Sequence, residues 1–197
     1  FSWLGGAVYS DKIAFKVCNS NITVIFHSLY KNFADARKRK ELMKQIKRIT
    51  MRIIFVVYFF QESACLKEEH LEMNLFLIKL KKNIPDIRHT TLDTENVNSG
   101  FTTFYYDGKK NIVIFRSEEM EKLIIHEMIH FYYLDFHKID LDLSQLFNIS
   151  SDIEFIPNES YTEMMTILIH SSLLSCEINS AIIDKIKHTV IAQQARF

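Results

Sequence analysis

The stretch from Ser117 to Asp135, S-E-E-M-E-K-L-I-I-H-E-M-I-H-F-Y-Y-L-D, limits what this chain can fold into more than any other. It predicts one helix. Ser117 suits the N-cap, and Glu118, Glu119 and Glu121 bring negative charge to the positive end of the helix dipole. No Gly or Pro interrupts the turns that follow. Within the stretch lies His126-Glu127-Met128-Ile129-His130. Residues at i and i+4 are neighbours on a helix face, with Cβ atoms roughly 5–6 Å apart, so both imidazoles can reach one tetrahedral ion such as zinc. Glu127 stands one position away, able to take a proton from a water the ion has acidified without binding the ion itself.

With 8 His in 197 residues, an H-E-x-x-H arises by chance with a probability on the order of a few per cent. The competing reading is a helix with two structural histidines. Leu123, Ile124, Ile125, Met128, Ile129, Phe131, Tyr132, Tyr133 and Leu134 leave the helix no polar face, which predicts burial. Two His and one Glu in a buried helix need a strong partner, and a metal ion satisfies all three.

The composition fits a single globular domain. At 48% hydrophobic the chain can bury a core, and 2 Pro with 4 Gly leave little material for a flexible linker. Basic and acidic residues balance at 24 each, so the net charge points to no nucleic-acid partner. Cys18, Cys65 and Cys176 are odd in number and far apart, which predicts free thiols in a reducing, intracellular (cytoplasmic) compartment. Sequons at Asn21, Asn148 and Asn158 would matter only in a secretory pathway. The first residue is Phe, which predicts a start further upstream, and no signal peptide can be read from the visible N-terminus.

Taken in order, Asp11 to Leu29 alternates and predicts a hairpin turning at Asn19 to Asn21. Tyr30 to about Arg48 predicts a basic helix on which Lys31, Arg37, Lys38, Arg39, Lys40, Lys44, Lys47 and Arg48 face only Asp35 and Glu41. An anionic-surface or nucleic-acid patch, with A-R-K-R-K as a nuclear-localisation signal, competes with a solvated face, which is favoured because no interleaved aromatics support base stacking. Ile53 to Phe60, I-I-F-V-V-Y-F-F, is far short of the ~20 residues needed to cross a bilayer and predicts a buried central strand. Leu66 to Asn83 predicts an amphipathic helix stopped ahead of Pro85, and Arg88 to Ser99 a loop. After Gly100, F-T-T-F-Y-Y and N-I-V-I-F-R flank a turn at Asp107 to Lys110 and predict a second hairpin. Phe136 to Pro157 reads as mostly irregular, and Asn158 to Leu174 and Ile178 to Ala195 as two closing helices.

A site with two histidines wants a third protein ligand and an open position. A metzincin would need Gly at 133 and His at 136, where this chain has Tyr133 and Phe136. The strong candidate is Asn158-Glu159-Ser160-Tyr161-Thr162-Glu163, at the start of a helix. Glu159 and Glu163 share a face at i and i+4, so one can bind the ion while the other receives the N–H of a ligating histidine. Glu159, in the first turn and nearer the open end, is the expected ligand. The competing reading is a solvated first turn whose carboxylates merely suit the dipole.

H-E-M-I-H followed by N-E-S-Y-T-E resembles the gluzincin zinc metallopeptidases, the thermolysin-like clan, whose pattern is H-E-x-x-H then N-E-x-x-S-D. The resemblance implies zinc held by His126, His130 and Glu159, with Glu127 as general base and Glu163 as the acid that orients a ligand. The strand N-I-V-I-F-R resembles the clan's edge strand, which binds extended substrate by β-augmentation. The run from Val113 to His130 also resembles uncharacterised predicted gluzincins of large DNA viruses. The resemblance spans residues 101–175. The chain departs from the pattern at Thr162 and Glu163, and little chain follows to supply a transition-state donor. Tyr132, Tyr133, Tyr161, His170 and His188 are the candidates for that role, and spacing selects none of them.

These readings converge on a single α+β, zincin-like domain over residues 1–197, with an N-terminal strand and helix half (1–100) and a metal-site half (101–197). The expected activity is zinc-dependent hydrolysis of peptide bonds in a peptide or protein substrate, with no membrane span. The alternative is a catalytically silent structural or assembly protein of zincin fold, such as a viral component.

Overall fold

The computed structural model describes residues 7–64, 70–79, 98–106, 109–135 and 158–194, with the backbone alone at 63, 64, 178 and 181–194. The expected loops at 88–97 and 136–157, the turn at Asp107 and Gly108, Cys65 and the side chain of His188 lie outside these.

Five strands form one mixed sheet in the order β1-β2-β3-β5-β4. β1 (Val8–Val17) and β2 (Ser20–Leu29) make the expected hairpin. Val17 pairs with Ser20, so Cys18 and Asn19 form the turn, one residue earlier than expected, with Cys18 in the left-handed region at φ 48°. β3 (His70–Phe76) runs parallel to β2, and β5 (Lys110–Ile114) parallel to β3. β4 (Gly100–Phe104) pairs antiparallel with β5 and forms the outer edge. The strand N-I-V-I-F-R therefore lies inside the sheet, not at its edge as expected. At Gly100 a Cβ would stand 2.9 Å from the Val113 carbonyl oxygen, so glycine lets the two strands close at this end.

Two expectations are overturned between β2 and β4. Ile53 to Phe60 is not a strand but the second half of a long helix. α1 (Tyr30–Ala34) is followed by α2 (Ala36–Ala64), and the break falls at Asp35, whose Oδ1 accepts the backbone N–H groups of Arg37 at 2.9 Å and Lys38 at 3.0 Å as an N-cap. Those bonds hold the Asp35 carboxyl below its usual pKa. Leu42, Ile46, Ile49, Ile53, Val56, Val57 and Phe60 recur at helical spacing and bury one face against the sheet. The expected helix of Leu66 to Asn83 is instead β3 where it is described, with Leu71, Met73 and Leu75 fully buried on alternate positions.

α3 (Met120–Phe131) joins α2 on the same core, with Ile124, Ile125, Met128 and Phe131 packed among Ile112, Ile114 and the α2 side chains. Its N-cap is Glu119, not Ser117, whose N–H instead donates to the Ile78 carbonyl at 3.3 Å. The closing segment is one continuous helix, α4 (Asn158–Gln194), where two were expected. α4 lies along α3, with Met165, Ile169 and Leu173 against the core.

Candidate metal centre

α3 points His126 and His130 the same way, their rings edge to face at 4.8 Å between centroids. Their Nε2 atoms stand 3.1 Å apart. Glu159, in the first turn of α4, faces both: its Oε2 is 3.4 Å from His126 Nε2 and its Oε1 is 3.5 Å from His130 Nε2. Among the described residues these three form a group whose ligand atoms all lie within 4.8 Å of one another. A tetrahedral ion bound at about 2.0–2.1 Å holds its donor atoms roughly 3.3 Å apart, close to the three separations seen here.

The outer nitrogens of the two rings explain which atoms are presented. His130 Nδ1 lies 3.0 Å from Asp135 Oδ2, and His126 Nδ1 lies 3.5 Å from Glu163 Oε2. A carboxylate can only accept, so a proton on each Nδ1 suits these contacts and lets each Nε2 offer a lone pair. Two lone pairs and a carboxylate then converge with no hydrogen between them. Protonating one imidazole would relieve this, but burial, then the neighbouring His130, pushes His126 below the ordinary histidine pKa. A cation suits the arrangement better, and the residues present fit one.

Asp135 was not foreseen from the sequence. Tyr133, just past the end of α3, takes a left-handed φ of 53°, and the chain doubles back so that Asp135 returns to His130. Leu134 N–H bonds to the Ile129 carbonyl and fixes the reversal. Glu163 also pairs with Lys122, one helical turn before His126 on α3. Glu159 faces both Nε2 atoms and Glu163 lies behind His126.

Glu127 is 5% exposed. Thr102 of β4 donates its hydroxyl to Glu127 Oε2 at 2.8 Å and also lies 3.1 Å from the main-chain oxygen of Glu127. Burial raises the Glu127 pKa above the usual carboxylate value, and the Thr102 bond opposes that rise. Thr102 is another residue the sequence did not single out; it meets Glu127 only because β4 pairs beyond β5. Arg116 steadies the entry to β4, donating to the Asn98 carbonyl at 2.5 Å, and Ser99 Oγ donates to Glu119 at 2.8 Å.

These side chains open onto a cleft of about 540 Å³, walled by Gly100 to Thr102 and Phe104 of β4 on one side and by His126, His130, Tyr133 and Glu159 on the other. Of the five candidate donors, Tyr133 lines the cleft, stacked on Phe104 at 5.3 Å with Lys110 Nζ 4.4 Å from its ring centre. Tyr132 is buried against Phe60, and His170 bonds Arg52.

Fold and site together define an α+β domain with a mixed five-stranded sheet and a His-His-Glu group able to hold a metal ion. No family model and no solved structure matches the chain. An uncharacterized protein of Acanthamoeba polyphaga mimivirus is 38% identical over 63 residues, which is 32% of this chain and 16% of that one. The match thus spans less than a fifth of that relative's length. Among the described residues no helix is long and apolar enough to cross a membrane.

Proposed function

We propose that this chain is a zinc-dependent peptidase domain of the gluzincin kind, with a zincin-like fold. The observation that carries the reading is the convergence of His126 Nε2, His130 Nε2 and a Glu159 carboxylate at 3.1–3.5 Å beside a buried Glu127. In this reading His126, His130 and Glu159 hold the ion, and Asp135 and Glu163 fix the two imidazoles. A bound zinc supplies acidification of water and polarisation of a carbonyl. Glu127 accepts the proton from the attacking water and passes it to the leaving amine. Thr102 holds one oxygen of that carboxylate, so the group meets the reacting atoms in one orientation.

An extended peptide is the substrate that the cleft suits, lying along β4, whose outer edge has no neighbouring strand among the described residues. Phe104 and Tyr133 offer apolar contact to a side chain beside the scissile bond. Two measurements test the reading. Elemental analysis should find about one zinc per chain. Glu127→Gln should keep the metal and lower cleavage of a responsive peptide by orders of magnitude, because an amide cannot accept the proton. A zinc-free chain after metal-replete expression, or a variant as fast as the parent, overturns it. A zinc-loaded parent that cleaves nothing in a broad peptide library is instead the catalytically silent structural or assembly protein.

A further inference from the structure

Glu159 is 61% exposed, and only the pose of α4 keeps it opposite the histidines. Apolar burial sets that pose only in part, since Met165, Ile169 and Leu173 pack half-buried against the core. The buried face of α4 carries Thr162 and Thr166, both fully enclosed, and their hydroxyls have no hydrogen-bond partner among the described residues. The outward face carries Met164, Ile167 and Leu168, each at least half exposed. With half-buried aliphatics inward and half-exposed ones outward, α4 gains only modestly from one rotation over another, and a polar group can sharpen the choice.

Arg52 of α2 is that group. Its side chain is 3% exposed. One guanidinium nitrogen lies 2.8 Å from Glu121 Oε2 on α3 and donates to His170 Nδ1 on α4 at 3.2 Å; the other reaches Glu177 Oε1 on α4 at 2.5 Å. Arg48 adds a solvent-exposed second contact to both glutamates. Glu159, Glu163, His170 and Glu177 follow one another at spacings of 4, 7 and 7 along one stripe of α4. That stripe is pinned at its far end by Arg52 and meets the histidines at its near end.

We propose that Arg52 is a positioning residue for the metal centre: by bonding α3 and α4 at once, it sets the rotation of α4 that brings Glu159 to His126 and His130. The inference rests on the proposed metal site, but one arm of its test does not. A planar fork with several fixed donors suits the role, which an ammonium can fill only in part. Turning α4 would take His170 and Glu177 from the buried guanidinium and leave it Glu121 alone, which is costly for a charge so enclosed.

The test uses the purified chain and zinc, in competition with a chromophoric chelator. Arg52→Met should weaken zinc binding by about 10–100-fold although it touches no ligand, with Arg52→Lys in between. In a Glu159→Gln background the same Arg52→Met change should cost less than about twofold, since the ligand it positions is already gone. An unchanged affinity, or an equal loss in both backgrounds, overturns the proposal. Hydrogen exchange on the metal-free chain supplies the independent arm. Arg52→Met should speed exchange over 158–177 while β2 and β3 stay protected, and unchanged exchange there overturns the proposal even if the parent binds no zinc. Should Arg52→Met fail to fold, Glu177→Gln, at a half-exposed position, takes its place with smaller shifts in the same directions.

Discussion

α3 and α4 each bring part of one centre, by opposite means. α3 is apolar nearly all round and wedged in the core, so His126 and His130 are about one-sixth exposed and held by their own helix before anything binds. α4 turns Thr162 and Thr166 inward beside half-buried Met165, Ile169 and Leu173, keeps Met164, Ile167 and Leu168 outward, and presents Glu159 from an exposed first turn. One half of the site is preorganised by full hydrophobic burial; the other is delivered by a helix docked through partial burial and polar contacts. A side chain on the first kind of element is as secure as the fold, and one on the second only as secure as that docking.

The largest expected contrast is in stability. Phe131, fully buried at the end of α3, should cost about 3–5 kcal/mol as Phe131→Ala, while Ile167→Ser on the outer face of α4 should stay within about 0.5 kcal/mol, both by denaturant unfolding. Equal losses would mean that α4 is packed as firmly as α3.

In metal binding the proposed roles make Glu159→Gln weaken zinc by more than about 100-fold, beyond the range for a group that only orients a ligand. Chelator competition reads this directly, and retention of parental affinity removes Glu159 from the ion. The orienting carboxylates should come next. Asp135→Ala should lose about 10–100-fold, because Asp135 is buried and 3.0 Å from His130 Nδ1. Glu163→Gln should fall at the low end, since Glu163 is 41% exposed and 3.5 Å from His126 Nδ1. The reverse order would place the firmer support on α4.

The smallest effect is a pH slope. Burial, then the Arg52 charge, holds His170 below the ordinary histidine value of 6.5, with Glu121, Lys122 and Glu177 as its other charged neighbours. As pH falls below about 6.5 the unfolded chain takes up a proton that the folded chain refuses, so stability declines until the folded imidazole protonates too. His170→Gln, which keeps an acceptor for Arg52, should flatten that decline in unfolding curves taken between pH 5 and 7. A slope identical to the parent's would clear His170 of the role.

The same division explains what could be read from the chain. α3 was legible because its pentapeptide states its chemistry locally, and Glu159 and Glu163 because i, i+4 acids at a helix start are also local. Ile53 to Phe60 misled because it is apolar on both faces: Phe55, Tyr58 and Phe59 stay exposed on the same turns that bury Val56, Val57 and Phe60, so within those residues no period distinguishes strand from helix. The phase was set upstream by Leu42, Ile46 and Ile49. β3 carried the alternation Leu71, Met73, Leu75, outweighed by the helix propensity of its Glu, Met and Leu. Thr102, Asp135 and Arg52 left no signal, since each meets the site through sheet pairing, a left-handed residue or helix docking.

The reversal at Tyr133 makes residues 126–135 an indivisible cassette. Two imidazoles, the buried carboxylate between them and the carboxylate that steadies the second imidazole follow one another in ten consecutive residues. One inserted residue inside the helix would swing everything beyond it by about 100°, parting His130 from His126. One inserted between His130 and Asp135 would spoil the return. Length changes inside these ten residues should therefore be far rarer among descendants of this gene than substitutions at Met128 or Ile129, and a grafting experiment would have to carry the block whole.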